Sequence, residues 1–170
     1  KKINSLEDFK GLKMRIGSIA GKVLSKVGVT TVFVPPREIF PALERGVVDA
    51  AELVGPVHDI LLGLYKVAKY YYTPGWHEQG PTLDIFFNKK AYNDLPKHFQ
   101  RVLDIAAADI NVRTLAAFDS QSGAALDKLV KEHKVNVQVY PEDVLKKLKT
   151  ISKEVIQEEA QKDPFALKVH

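Results

Sequence analysis

The chain has 170 residues, 45% hydrophobic and 27% charged, which is enough for one domain with its own core and excludes a disordered segment. A formal charge of +4 comes from 25 basic residues interspersed with 21 acidic ones, a pattern that suits an anionic small ligand better than a nucleic-acid stripe. Cysteine is absent, which excludes disulfides, thiol catalysis and cysteine-based metal sites, and there is no apolar run of 18 residues to span a membrane.

The first residues, Lys-Lys-Ile-Asn, carry neither an initiator Met nor a signal peptide, so the chain reads as the interior of something longer. Residues 12–16 form a short β-prone run after Gly11, and 18–27 predict a helix ended by Gly28. Residues 30–34 are β-branched and aromatic, Pro35-Pro36 breaks the run, and 37–45 read as a helix with Ile39, Phe40 and Leu43 on one face, stopped by Gly46. Residues 47–51 are the next strand. The order β-α-β-α-β predicts an α/β fold with a mainly parallel sheet and flanking helices.

After Gly55-Pro56, the spacing of Val57, Ile60, Leu61 and Leu64 predicts an amphipathic helix to about Tyr65. Residues 67–72 look extended, Thr73-Pro74-Gly75 is a turn, 82–87 read as a strand, and 88–96 as a capped turn or short helix. From Lys97, the positions Phe99, Val102, Leu103, Ala106, Ile110 and Leu115 keep a helical period, so this helix reaches Phe118 or continues past Gly123 to Val130. At that length it would span roughly 30 to 50 Å, as lobe-bridging helices do. Residues 135–139 alternate as a last strand, 141–160 form a Pro-initiated amphipathic helix, and the tail 163–170 reads as loose.

Two carboxylates sit where water is scarce: Glu52 closes the apolar run from Val47, and Glu78 follows an aromatic cluster containing Tyr72 and Trp76. An acid in such a setting needs a partner, here a cation. Arg15 lies at the carboxyl end of the first strand, where open α/β sheets bind ligands, and its planar fork matches a carboxylate. Pairing with a surface acid is the plainer reading of Arg15, and both stand at this point. Glu52 ends a later strand, so the same topology brings it near Arg15. Either the two pair directly, or the charges alternate as Arg15, ligand carboxylate, cation and Glu52. Oxygen donors of this kind suit sodium, calcium or magnesium rather than zinc.

Other motifs carry less. Gly17-Ser-Ile-Ala-Gly21-Lys22 has the wrong spacing for a phosphate loop, and Val23 stands where Ser or Thr would hold magnesium. His77-Glu78 lacks the helix spacing of a zinc protease, and surface positions account for His58, His98, His133 and His170. No G-x-S-x-G elbow exists. A metal-assisted hydrolase or lyase using Glu52 and Glu78 is the alternative enzymatic reading; an anion-binding or nucleic-acid module is a third, without a matching motif.

Three blocks together resemble the periplasmic solute receptors of TRAP transporters, the extracytoplasmic DctP-type binding proteins. They are Arg15 in DFKGLKMRI, EIFPALERGVVDAAE ending at Glu52, and YYYTPGWHE ending at Glu78. The likeness runs from about residue 6 to 163, and the aromatic-Pro-Gly-Trp block looks most like the branch that binds 2-oxo acids or lactate with a metal ion. The resemblance implies the C-terminal part of a two-lobed, type II-like periplasmic binding protein. Residues 1–78 and 119–170 would belong to the second lobe, and 79–118 would go with an absent first lobe and the long bridging helix. It implies a non-enzymatic receptor that delivers a small monocarboxylate to a membrane permease.

Residue by residue, the resemblance implies Arg15 for the ligand carboxylate, Tyr72 and Trp76 as lining residues, and Glu52 and Glu78 at a sodium or calcium ion. The residue after Glu52 is often Trp in the family and is Leu53 here. Its backbone carbonyl would still serve the cation, whereas its side-chain wall against the ligand is altered. A homodimer or swapped assembly is the further expectation, because a strand over 82–87 without neighbours would expose an edge.

Overall fold

The computed structural model describes residues 1–78, 80 and 83–169. Three short strands, β1 (Lys13–Arg15), β2 (Thr30–Val32) and β3 (Ala50–Ala51), form a parallel sheet in the order β2-β1-β3. Its register pairs Arg15 with Val32 on one side and with Ala51 on the other. The crossover from β1 to β2 is helix α1 (Ser18–Ser25), and α2 (Ile39–Glu44), entered through a 3-10 turn at Pro36–Glu38, connects β2 to β3. This is the β-α-β-α-β order expected from the punctuation. Gly28, at φ +93, makes the turn out of α1, where an added Cβ would lie 3.3 Å from the Lys10 Cα, so backbone conformation and close approach both select glycine.

Helix α3 (Pro56–Leu61) and a 3-10 turn at Leu64–Lys66 lead to β4 (Tyr70–Thr73). Strand β4 pairs in parallel with β5 (Asn136–Val139) as a second, two-stranded sheet. Between these strands lie α4 (Lys89–Asp94), whose Asn88 side chain accepts from the Ala91 N–H, and α5 (Lys97–Lys131). At 35 residues α5 is about 52 Å long, reaching the longer of the two expected ends. Its C-terminal half packs on α3, where His58 stacks on Phe118 with ring centroids 5.4 Å apart. Helix α6 (Glu142–Ala160) and the short α7 (Ala166–Val169) complete the chain.

The core forms where α1 and α6 meet the first sheet. Val144, Leu148, Ile151 and Val155 recur every three or four residues along α6 and are all buried, packed with Phe9, Leu12, Ile16, Val23 and Leu24. Ion pairs Lys22–Glu159 and Lys26–Glu158 flank that seam; being exposed, they add little beyond the apolar contact.

Several expectations are corrected. Residues 83–87 form no strand, and Thr82 lies outside the described residues. No strand lies beside them among the described residues, so their backbone has no ladder to join, and Leu83 and Phe86 are 85% and 89% exposed. Extension before β4 begins at Tyr70 rather than Val67, because the 3-10 turn and Ala68, whose N–H reaches the Leu64 carbonyl, come first. The predicted helix over 37–45 is split between the 3-10 turn and α2. The tail is not wholly loose, since α7 lies within it; His170 lies outside the described residues. His58 and His133 are not simple surface groups, because His58 is stacked on Phe118 and His133 on Tyr65 at 3.7 Å.

Asp59 of α3 is buried at 8% exposure and accepts a 2.8 Å hydrogen bond from the Tyr71 hydroxyl on β4. Burial pushes its carboxyl from the ordinary 3.8 up to about 6, the tyrosine bond opposing that rise and Glu52 adding to it.

Two outcomes are expected. Leu148→Ala, at a position with 0% exposure, should lower the unfolding free energy by about 2–5 kcal/mol, read from urea denaturation. For Asp59, the folded state keeps its proton between about pH 4 and 6 while the unfolded state loses it, so stability contributed by the neutral acid is lost as pH rises through that window. The melting temperature of Asp59→Asn should therefore match that of the unaltered protein near pH 4 and exceed it by a growing margin up to about pH 6.5, equivalent to at most about 3 kcal/mol.

Candidate functional site

The carboxyl ends of β1 and β3 lie side by side, and this register positions the two charges singled out by the sequence. The Glu52 N–H donates to the Arg15 carbonyl at 2.9 Å, continuing the parallel ladder one residue past β3. The Arg15 guanidinium is almost wholly buried. Its Nε donates to the Val34 carbonyl at 3.2 Å, and its Nη1 donates to the Glu52 carbonyl at 2.6 Å and to Glu52 Oε2 at 3.2 Å. The Phe33 ring lies 5.7 Å from the guanidinium carbon, within cation-π range. Among the described residues, Nη2 makes no hydrogen bond. The direct pair foreseen for Arg15 and Glu52 is thus what the structure contains, with one donor of the fork left over.

Glu52 also faces the Pro74-Gly75-Trp76 turn that follows β4. Its Oε1 is 3.5 Å from His77 Nε2, and one donor atom each from Glu52, His77 and Glu78 lies within 4.8 Å of the other two. That spread matches the diameter of a calcium coordination shell, about 2.3–2.6 Å from ion to oxygen. The two carboxylates fit a hard cation by donor type as well as spacing.

Glu52 and His77 line a cleft of about 650 Å³ between the carboxyl end of the first sheet and β4. Leu53, Asp59, Tyr72 and Trp76 border the same cleft, whereas Arg15 and Glu78 do not line it: Arg15 joins through its bonds to Glu52, and Glu78 through the three-donor cluster. Tyr72 is largely committed elsewhere: its hydroxyl accepts from the Ile3 N–H and donates to the Ile3 carbonyl, and its ring packs on Tyr140 at 4.7 Å. Only part of its ring remains for the cleft. Trp76 packs partly on the core, with its ring edge-on to His77 at 5.2 Å.

Sequence reasoning missed His77 and Asp59. His77 lacks the helical spacing of a zinc protease, yet a histidine directly beside an acid expected at a cation is the signal the sequence offers. Asp59 offers no such signal, because an acid in an amphipathic helix ordinarily faces water.

Residues 1–163 match the family model for bacterial extracellular solute-binding protein, family 7 (DctP). The chain is 43% identical over 163 residues to a monocarboxylate 2-oxoacid-binding periplasmic protein of Nostoc sp. strain PCC 7120, covering 96% of this chain and 44% of that protein. Among solved structures, a TRAP periplasmic solute-binding protein from Colwellia psychrerythraea, with bound calcium and pyruvate, superposes with a TM-score of 0.89 at 41% identity, covering 99% of this chain and 52% of that one. A TRAP periplasmic solute-binding protein from Pseudoalteromonas atlantica T6c, with bound sodium and pyruvate, gives 0.85 at 37% identity, over 99% of this chain and 51% of that one. The chain therefore spans about half the length of the relatives it matches. With the family model matched over residues 1–163, the chain belongs to family 7 of the bacterial extracellular solute-binding proteins, the DctP family.

Proposed function

We propose that this chain is part of a periplasmic receptor of a TRAP transporter, which captures a 2-oxo acid or lactate-like monocarboxylate together with a sodium or calcium ion and delivers it to the membrane permease. The observation that carries this reading is Arg15 beside Glu52 at the carboxyl ends of adjacent parallel strands, within reach of a second acid from the β4 turn. Likeness to relatives named for 2-oxo acids and pyruvate supports the substrate class. It also favours a receptor over the hydrolase or lyase alternative.

In this reading the ligand carboxylate meets the donor of Arg15 that is left over, and Glu52 turns its carboxylate from the guanidinium toward the cation. Glu52, Glu78 and the Leu53 carbonyl would hold that ion, which when bound would supply positive charge to balance the ligand carboxylate. Trp76 and part of the Tyr72 ring exclude water, so each charge contact is stronger than it would be in bulk solvent. Leu53 leaves a smaller wall than the aromatic side chain common at this position, giving room beside the carboxylate. Residues 1–78 and 119–170 belong to one lobe, and 79–118 go with the other lobe and the long bridging helix. The exposed apolar side chains of 83–87 and of α5 support that division. Closure between lobes then traps the acid.

Isothermal titration of the protein at its full natural length with pyruvate, lactate and longer 2-oxo acids tests the reading. Saturable binding that requires calcium or sodium is expected; no heat with any of these acids in the presence of either ion would overturn it. Arg15→Ala should weaken binding by about 100-fold or more, the loss of a buried charge-assisted contact. Glu52→Ala should chiefly remove the dependence on the cation, so that calcium no longer improves affinity in the same titration.

A further inference from the structure

His77 presents an unmet need at the centre of the site. Both ring nitrogens are shut off from solvent and, among the described residues, without a hydrogen-bond partner, although Nε2 lies 3.5 Å from Glu52 Oε1. A buried polar atom left in that state costs about 1–3 kcal/mol. The Trp76 ring, edge-on at 5.2 Å, blocks one side of the imidazole. On the other side, Glu52 and Glu78 each bring a carboxylate oxygen within 4.8 Å of a histidine nitrogen and of each other. A single group contacting all three would satisfy the nitrogen and separate the two acids.

We infer that the His77 imidazole is a third donor when the seat at Glu52 and Glu78 holds a borderline divalent ion of the zinc or cobalt(II) class, making a mixed nitrogen and oxygen site. The inference rests on the receptor reading for the presence of a cation at these two acids, and extends it in the donor set and the class of ion. Calcium and sodium gain little from an imidazole, whereas zinc, cobalt and nickel ions gain much. Zinc holds its donors at about 2.0–2.2 Å, so a shell around it is roughly half an ångström narrower than the present spread. Glu78 is the exposed member of the three and supplies that contraction without disturbing the core. Transition ions would thus compete with calcium for the seat beside the ligand, linking acid capture to the supply of such ions.

Titration of the protein at its full natural length with cobalt(II) chloride, followed by visible d-d absorption, tests the donor assignment. A saturable one-to-one signal is expected. His77→Gln should lower cobalt affinity at least about tenfold, while calcium affinity, measured calorimetrically with pyruvate present, stays within about twofold. In the unaltered protein, the His77 imidazole nitrogen resonances should be broadened beyond detection by cobalt, a readout that does not depend on the variant folding. Unchanged resonances, unchanged cobalt affinity in His77→Gln, or an equal loss of cobalt and calcium would each overturn the inference. Absence of binding of pyruvate, lactate and longer 2-oxo acids with either calcium or sodium in the unaltered protein would instead sink the receptor reading, and the cobalt comparison would still decide the role of His77.

Discussion

A buried guanidinium is the constraint around which the site is arranged. Arg15 ends β1, and its side chain reaches the Val34 carbonyl beyond β2 and both the carbonyl and the carboxylate of Glu52 beyond β3. Three segments that leave the sheet in sequence order are therefore tied to one planar group. Removing such a charge from water is costly unless its donors are met, so the loops after β2 and β3 have little freedom to drift. The same requirement keeps Glu52 at the mouth of the cleft. A residue placed to satisfy an arginine is thereby placed to serve whatever approaches it.

The second sheet adds what the first lacks. Strand β4 carries no site residue that could act alone, but its end delivers the Pro74-Gly75-Trp76 turn, and with it His77 and Glu78, to the carboxylate of Glu52. The parallel pairing of β4 with β5 anchors this turn to the start of α6, so the third side of the site depends on contacts more than sixty residues away in sequence. The Tyr71–Asp59 hydrogen bond ties the same strand to α3 beneath the cleft. Local chemistry here is held by long-range packing.

Much of this was legible from the residues because the first half is heavily punctuated. Glycine and proline at 28, 35, 36, 46, 55 and 56 delimit each element, and periodicity within them gives the type. The proximity of Arg15 and Glu52 followed from parallel topology alone. Residues 83–87 misled because alternation and β-branching describe a surface that fits a sheet, while only a neighbour makes one. His77 and Asp59 were illegible for a related reason: their burial is created by segments distant in sequence, and neither carries that information locally. The extent of α5 was ambiguous because its apolar residues are distributed around the helix instead of forming one stripe, so the period weakens after Phe118.

That last helix has a mechanical consequence. Among the described residues, helix α5 packs on α3 through its C-terminal half, where His58 stacks on Phe118, while its first turns contact only the short preceding α4 through Gln100 and Asp104. The 21 residues from Lys97 to Ala117 extend roughly 32 Å beyond that anchor, held internally by backbone hydrogen bonds. The rod is thus a lever arm with its pivot one helix away from Asp59 and the cleft. A tilt of about 5° at the pivot moves the Lys97 end by nearly 3 Å on that arm length. A change too small to notice at the binding site becomes a displacement as large as an atom at the far end.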